Sequence, residues 1–389
     1  MTPPKARLLD ITRLMNRAGL RPTGIDRVEV AYLRALIADP VPVFAIARSA
    51  LGYILLDQTG AQRVLAALDS DAWGKPDMIS RVNLRLSASR RLGQSFVRRA
   101  ALARCTRHRV SAMLAARLPV DFTYFNVGHS NLNRRMLNGL GAVRKVVLIH
   151  DTIPLDYPET QAAGAVDVFA AKLALVRAHA EVVICISGQC AADVARHMAG
   201  PGRLPAFTTA HLGVDVAVAD CAMPLPTPPY FVTVGTIEPR KNHAMLLDIW
   251  ADWVDAPPLV ICGKRGWNNT AVFARLDAKP AGVLEYNSLS DGQIAALVQG
   301  ATAMLFASNA EGFGLPPAEA LAQGTRVVCA DLPVYQEILG DSAVYVARND
   351  RYLWEHAIKK IAVSDRYDPI LQFSAPTWAA HFNKVLSRV

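Results

Sequence analysis

The sequence predicts an α/β protein made of two doubly wound domains in tandem, and three observations carry that prediction. Short runs rich in Val, Ile and Leu alternate with helical segments along the chain, the pattern of parallel sheets flanked by helices. The runs fall into two sets separated by ADCAMPLPTPP, where Pro224, Pro226, Pro228 and Pro229 can continue neither a helix nor a central strand. A chain of 389 residues, 52% of them hydrophobic, also exceeds the roughly 250–300 residues at which a single core stops growing.

Taken in order, RLLDITRL, PVFAIAR, TYFNVG, KVVLIHD and EVVICIS supply the strands of a first domain, residues 1–218. The proline-rich stretch, 219–229, is the linker. YFVTVGT, PLVICGK, TAMLFAS, RVVCAD and AVYVA supply those of a second domain, 230–372. The last segment, 373–389, contains TWAAHFNKVLSRV, whose periodicity is helical and which is expected to dock back on the first domain. In such folds ligands bind beyond the carboxyl ends of the strands, so residues that follow strands are the candidates for a site in the cleft between the domains.

Composition narrows the setting. The six cysteines are scattered, and Cys185, Cys262 and Cys329 lie inside apolar strand-like runs, as buried thiols in a reducing cytoplasm do. MTPPKARLLDITRL lacks the apolar run of a secretory signal, and no stretch reaches the roughly 18 apolar residues of a spanning helix. The formal net charge of +9 is unevenly distributed: Lys75 to Arg117 holds eleven Lys or Arg and one acid, Asp77. Apolar residues interleave with these arginines on a roughly helical period, so the 75–117 segment is expected to lie on an anionic membrane surface at the inner face of the cytoplasmic membrane. A solvated helical face competes with that reading. Nucleic acid is disfavoured because no nucleic-acid module accompanies the charge.

The densest chemistry lies in EGFGLPPAEALAQG. After the strand TAMLFAS come Asn309, Ala310 and Glu311, then Gly312, Phe313, Gly314 and Leu315, then a helix opened by Pro316-Pro317 and closed by Gly324. Glycines admit a ligand close to backbone amides, and a helix N-terminus attracts phosphate. Glu311 at the strand end and Glu319 in the following helix are placed to reach opposite ends of one ligand, and a carboxylate accepts bidentately from vicinal hydroxyls of ribose or hexose. Glu319 also has the simpler role of favouring a positive helix start. Upstream, GTIEPRKNH follows the first strand of the second domain and sets Arg240 and Lys241 at a helix start, where they can neutralise a leaving diphosphate.

Together, EGFGLPPAE and GTIEPRKNH resemble glycosyltransferase family 4, retaining enzymes of the GT-B fold, in which two Rossmann-like domains face each other across a cleft; the motifs are most similar to those of bacterial mannosyltransferases. The resemblance implies that Glu311 approaches the donor sugar, Glu319 holds the nucleotide ribose and Lys241 binds the pyrophosphate. Many members carry an arginine at the position of Thr236, and Arg240 is a candidate substitute. A histidine near His150 contacts donor sugar or acceptor in the family; a buried histidine satisfied by Asp151 is the alternative here. The loop Thr23-Gly24-Ile25-Asp26-Arg27 stands where the family has a double glycine, so that Gly24 can lend amides, and Arg27 charge, to the phosphates. Ser187 follows another strand, where helix capping alone would also explain it. HLGVD, with Gly213 and Asp215, is similar to the family's segment leading into the linker and fits a hinge.

The implied reaction moves a hexosyl group, mannose from GDP-mannose in the first instance, to a hydroxyl of a lipid-linked or oligosaccharide acceptor in bacterial surface polysaccharide synthesis, with no cofactor. No metal is expected: Asp69-Ser70-Asp71 follows a helical run, where exposed acids are ordinary. A dinucleotide oxidoreductase is excluded, since neither GLGAVR nor GFGLPP is G-x-G-x-x-G. A sugar-nucleotide epimerase of the same fold and a non-catalytic scaffold stand as alternatives.

Overall fold

In the computed structural model, which describes residues 3–222, 224–364 and 373–389, two sheets are stacked along the chain. The first contains β1 Ala6–Asp10, β2 Val43–Ser49, β3 Gly52–Leu56, β4 Ala103–Cys105, β5 Phe122–Asn126, β6 Arg144–Ile149, β7 Val182–Cys185 and β8 Ala206–Thr209, in the order β4-β3-β2-β1-β5-β6-β7-β8. The second contains β9 Phe231–Val234, β10 Leu259–Cys262, β11 Val283–Tyr286, β12 Ala303–Phe306, β13 Val327–Ala330 and β14 Val344–Val346, in the order β11-β10-β9-β12-β13-β14. All pairs of the second sheet are parallel. Its order reverses between β9 and β12, and that of the first between β1 and β5, which opens a crevice at their carboxyl ends. β1, β7, β10, β12 and β13 are buried at every position. Strands covered on both faces read as unbroken apolar runs, which is why VVIC, LVIC and VVCA were visible in the sequence.

The first sheet departs from the expected parallel pattern. β3 and β4 join its edge antiparallel, β2 turning into β3 through a tight hairpin in which Ser49 pairs with Gly52. Gly52 has φ 144°, and a Cβ there would stand 2.1 Å from the Cys105 carbonyl. β3, β4, β8 and β11 are absent from the sequence-based expectation. RLLDITRL is strand only to Asp10, whose Oδ1 accepts from the Thr12 amide (3.0 Å) as the chain turns into the helix Thr12–Asn16.

The basic segment is not one amphipathic helix. It divides into the helices Met78–Val82 and Ala88–Arg99, β4 and the helix Val110–Arg117. Gly93 lies so close to the Met15 carbonyl that a Cβ would be 1.9 Å away, and Arg98 turns inward to Asp77 (2.7 Å) and Ser80. Bonding to Arg98 holds the Asp77 carboxyl well below its usual range. The face expected to meet lipid is therefore used largely for packing. Met78, Ile79, Val82 and Leu84 remain exposed.

The helix Trp378–Leu386 returns to the first domain. His381 bridges the Tyr32 hydroxyl (2.8 Å) and the His211 carbonyl (3.0 Å), and Trp378 Nε1 donates to Asp215 (2.8 Å). Gly213 faces Trp378 so closely that a Cβ would lie 2.3 Å from the indole. The expected boundary at residue 372 lies outside the described residues.

Candidate active site

β9 ends at Val234 and the chain swings through Gly235, whose φ of 148° brings it beside Lys241: a Cβ there would stand 3.3 Å from Lys241 Cε. A 3-10 turn, Pro239–Lys241, then leads through Asn242 (φ 54°) into the helix His243–Asp252. β12 ends one strand away, and the Asn309 amide donates to the Arg240 carbonyl (2.8 Å), which joins the two turns. Here the sequence-predicted cations meet the first glutamate of the motif. Lys241 Nζ lies 2.6 Å and Arg240 NH1 2.5 Å from the same oxygen, Glu311 Oε1. Burial alone would raise the Glu311 carboxyl, but Arg240 and Lys241 prevail and hold it below the usual carboxylate range. Burial likewise depresses Lys241 against the pull of Glu311, and the ammonium rests 4.4 Å from the Phe306 ring centroid.

Arg240 departs from its expected part. Its Nε and NH2 donate to Glu238 Oε1 (3.0 and 2.6 Å) and its NH1 to the Ala310 carbonyl (2.7 Å). Burial opposes its charge, while Glu311, Glu238 and Asp151 raise its pKa. With its fork directed at protein acceptors, Arg240 is a strut that fixes the Glu311 loop. Glu238, itself buried, is a member of the cluster that the motif reading missed.

The helix Leu315–Ala322 begins at Gly314, which has φ 91° and packs so that a Cβ would meet Tyr335 at 2.7 Å. The expected anion site at this helix start is weaker than the sequence suggested. Its second and third residues are Pro316 and Pro317, which lack an N–H, so of the four leading amides only those of Gly314 and Leu315 remain. Phe313 is buried and packs toward His211, the ring centroids 6.2 Å apart, so its side chain supports the loop from behind. Leu315 touches the opposite wall, where a Cβ on Gly24 would stand 3.9 Å from its Cδ1.

Glu319 is paired across the cleft. Arg27, in the helix Gly24–Ala38, reaches it at 2.6 Å and also donates to the Asp215 carbonyl (3.2 Å). Burial raises the Glu319 carboxyl and Arg27 offsets part of that rise. The start of the Arg27 helix is fixed by Asp26, which binds Arg13 and Arg17 (2.6 Å each) and the Thr23 amide (2.7 Å).

On the first-domain wall, β6 ends in His150-Asp151. His150 is buried, and its Nε2 donates to the Val127 carbonyl (2.7 Å). It is thus satisfied by backbone and not by Asp151. Burial, with His129 beside it, lowers its pKa to about 3, so the ring is neutral at physiological pH. His129 lies 5.2 Å away between centroids, donates to the Leu148 carbonyl (2.7 Å) and is lowered to about 4, chiefly by burial; the sequence reading did not single it out. Asp151 is raised to about 6 by burial, against the field of Arg240.

The two domains touch where Gly312 meets this wall. A Cβ on Gly312 would stand 2.2 Å from the His150 carbonyl, and Ser187 Oγ donates to the Gly312 carbonyl (2.9 Å) while also capping its own helix at the Cys190 amide (3.0 Å). On one side of the contact a cavity of about 330 Å³ is lined by Gly24, Arg27, Gly235, Lys264, Tyr286 and Glu319. On the other, a cavity of about 440 Å³ is lined by Asp151, Glu311, Gly312 and Arg348. The two glutamates of the motif therefore open on different chambers. Lys241 lies between them, under Gly235 of the first and bonded to Glu311 of the second. Of the residues expected at the site, Arg240, Lys241, His150, Ser187, Phe313, Gly314 and Leu315 line neither chamber.

Residues 224–366 match the family described as glycosyl transferases group 1. The chain is 34% identical over 222 residues to the serotype-specific mannosyltransferase WbdA of Escherichia coli, covering 51% of this chain and 27% of the relative. It is 32% identical over 136 residues to the O-antigen chain mannosyltransferase RfbU of Salmonella typhimurium, covering 34% and 38%. The matches thus span about a quarter to two fifths of these relatives' length. Among solved structures, sucrose-phosphate synthase from Thermosynechococcus elongatus superposes with a TM-score of 0.63 at 15% identity, covering 99% of this chain and 93% of that one. Anabaena Alr3699/HepE in complex with UDP gives 0.59 at 13%, covering 99% and 95%. The chain is therefore a two-domain protein of the GT-B fold whose residues 224–366 match the group 1 glycosyl transferases and whose relatives include bacterial mannosyltransferases.

Proposed function

We propose that this protein is a retaining hexosyltransferase that carries mannose from GDP-mannose to a hydroxyl of a lipid-linked or oligosaccharide acceptor in bacterial surface polysaccharide synthesis. The observation that carries the reading is the convergence of Lys241 and Arg240 on Glu311 Oε1, at 2.6 and 2.5 Å, between two chambers at the domain seam. In this reading the nucleoside occupies the chamber of Glu319, which accepts from the ribose hydroxyls. The hexose occupies the chamber of Glu311 and Asp151, and the diphosphate crosses at Lys241. Charge gathers on the diphosphate as the glycosidic bond breaks, so a desolvated ammonium at that crossing lowers the barrier more than one in water would. Glu311 serves as the counter-ion that keeps Lys241 charged and as an acceptor for sugar hydroxyls, with attack from the face of departure and no protein nucleophile. The choice of mannose is supported by relatives that are mannosyltransferases.

Charge neutralisation by Lys241 makes a metal unnecessary in this scheme, so transfer should be undiminished in excess EDTA. The exposed Met78, Ile79, Val82 and Leu84, interspersed with Lys75, Arg81 and Arg85, support peripheral attachment to an anionic bilayer. Among the described residues no helix is long and apolar enough to cross a membrane.

Titrations with GDP-mannose, UDP-glucose and UDP-N-acetylglucosamine test the donor assignment. Tightest binding of GDP-mannose, weakened in Lys241→Ala and Glu319→Ala, is the expected result. Equal affinity of all three for parent and variants would remove the basis for it. Turnover separates the remaining classes, because transfer needs an acceptor, epimerisation does not, and a scaffold does neither.

A further inference from the structure

We propose that a third cavity, inside the first domain and apart from the two at the seam, seats a phosphate or diphosphate ester carried by the acceptor. The proposal rests on the transferase reading above and names the chemistry of its acceptor. The cavity measures about 530 Å³ and lies beyond the carboxyl ends of β1, β2 and β5. Arg48, Arg90, Arg107 and Lys172 line it, and no Asp or Glu does.

Some cations elsewhere turn to acids, as Arg98 does to Asp77 and Arg265 to Asp277 and Glu285. Here four cations line one concavity that no acid lines, and among the described residues Arg48, Arg90, Arg107 and Lys172 form no ion pair. Arg90 finds only the neutral Asn16 (3.1 Å). Lys172 is half-buried, and its pKa is lowered by burial and by Arg13. Like charges gathered around one concavity repel one another and focus a positive potential into it, and a polyanion there relieves the repulsion. Four cations suit the two phosphoryl groups of a diphosphate, which arginine forks bind bidentately, better than they suit a single carboxylate.

The floor of the cavity is built to hold its shape and to face the reaction. His129 (φ 56°) and Asn131 (φ 60°) both adopt the left-handed backbone that non-glycine residues rarely take, and such conformations persist where the surroundings enforce them. Asn131 is tied down by its Nδ2 on Asp10 (2.7 Å) and by Asn133 on its Oδ1 (2.9 Å). His129 forms part of the cavity wall and lies 5.2 Å from His150, whose carbonyl abuts Gly312, next to Glu311 of the sugar chamber. An anion held here is one layer of side chains from the seam, on the acceptor side.

Geranyl diphosphate is the probe. It is titrated calorimetrically into the full chain with GDP in saturating excess, beside geraniol and methyl glucuronide. The proposal expects the diphosphate to bind at least about tenfold more tightly than either, equivalent to roughly 1.4 kcal/mol. It expects Arg48→Gln/Arg107→Gln to weaken that binding by about tenfold or more and Arg63→Gln, outside the cavity, to leave it unchanged. Both cavity arginines are exposed, so the double variant should keep the parent's melting temperature, which is measured alongside. Equal affinity of the double variant, or preference for the glucuronide, would overturn the proposal. Failure of GDP itself to bind would instead count against the donor assignment, since the effect of the arginine variants is read on geranyl diphosphate alone.

Discussion

In the proposed scheme Lys241 and Glu311 form the reacting centre, joined by one contact 2.6 Å long. In that scheme, removing the ammonium takes away the cation at the diphosphate crossing, and losses of one transition-state donor are typically about 10²–10³-fold in kcat. Lys241→Ala should fall in that range with a smaller change in acceptor KM, measured by transfer of labelled hexose. In the same scheme Glu319 holds the nucleotide, so Glu319→Ala should raise donor KM roughly tenfold or more, the worth of a charged hydrogen bond, with less effect on kcat. Asp151 permits a test by pH. Its folded pKa of about 6 lies above the ordinary aspartate value of 3.8, so the folded state holds that proton more tightly and stability falls as pH rises between these values. Asp151→Asn should therefore become progressively more stable than the parent between pH 4 and pH 6, by up to about 3 kcal/mol, and the difference should level off above that window. Denaturant unfolding of both proteins across the range reads it directly. Glu311, Glu319 and Lys241 were legible because each sits in a short motif beside glycine, proline or another charge. His129 and the Arg27–Glu319 pair were not, because each depends on residues far apart in sequence that only the folded chain brings together.

At the scale of elements, the loop from Asn309 to Gly314 is the hinge of the account, since it joins the motif to the opposite domain. Gly312→Ala would place a methyl group where only 2.2 Å separate it from the His150 carbonyl, so the domains must part or the loop must move. Displacements of about 1 Å near a reacting centre can cost ~100-fold. Transfer by Gly312→Ala should drop by that order, with the radius of gyration rising in solution scattering if the domains part. Glu337 supplies a second clasp. Its carboxylate accepts from the Gly188 and Gln189 amides (2.6 and 3.2 Å) and from His211 (2.7 Å), capping a first-domain helix from the second domain. Glu337→Ala should release about 1 kcal/mol of cap and speed hydrogen exchange at those two amides. The parallel strands were legible as apolar runs covered on both faces. β3 and β4 were not, because GYILL and ARC are too short for their periodicity to distinguish strand from helix, and their antiparallel pairing is set by the tight turn at Gly52. The two prolines that signalled a helix start also removed the amides that such a start would offer an anion.

For the molecule as a whole, the two-domain division was written in the proline-rich linker and in the spacing of the strand runs, whereas the division of the cleft into two chambers was not. That partition follows from Gly312 meeting His150, a contact between segments that the sequence keeps far apart, and from Lys241 folding back under Gly235. The charge of the 75–117 segment was visible, but the inward packing of its later helices was not: Val97, Val110, Met113 and Leu114 are buried, while Met78, Ile79, Val82 and Leu84 are exposed. Met78→Ser/Val82→Ser/Leu84→Ser should lose co-sedimentation with anionic vesicles while keeping GDP-mannose affinity. The central claim, that the seam transfers a hexose with retention, is tested most directly by the product's anomeric configuration. The protein is incubated with GDP-mannose labelled with carbon-13 at the anomeric position and with bacterial lipid extract, and the one-bond carbon–proton coupling at that carbon is read by NMR. The account predicts an α-mannosyl product that forms only when acceptor is present and is lost in Lys241→Ala; a β-mannosyl product, or a rearranged sugar nucleotide formed without acceptor, would contradict it.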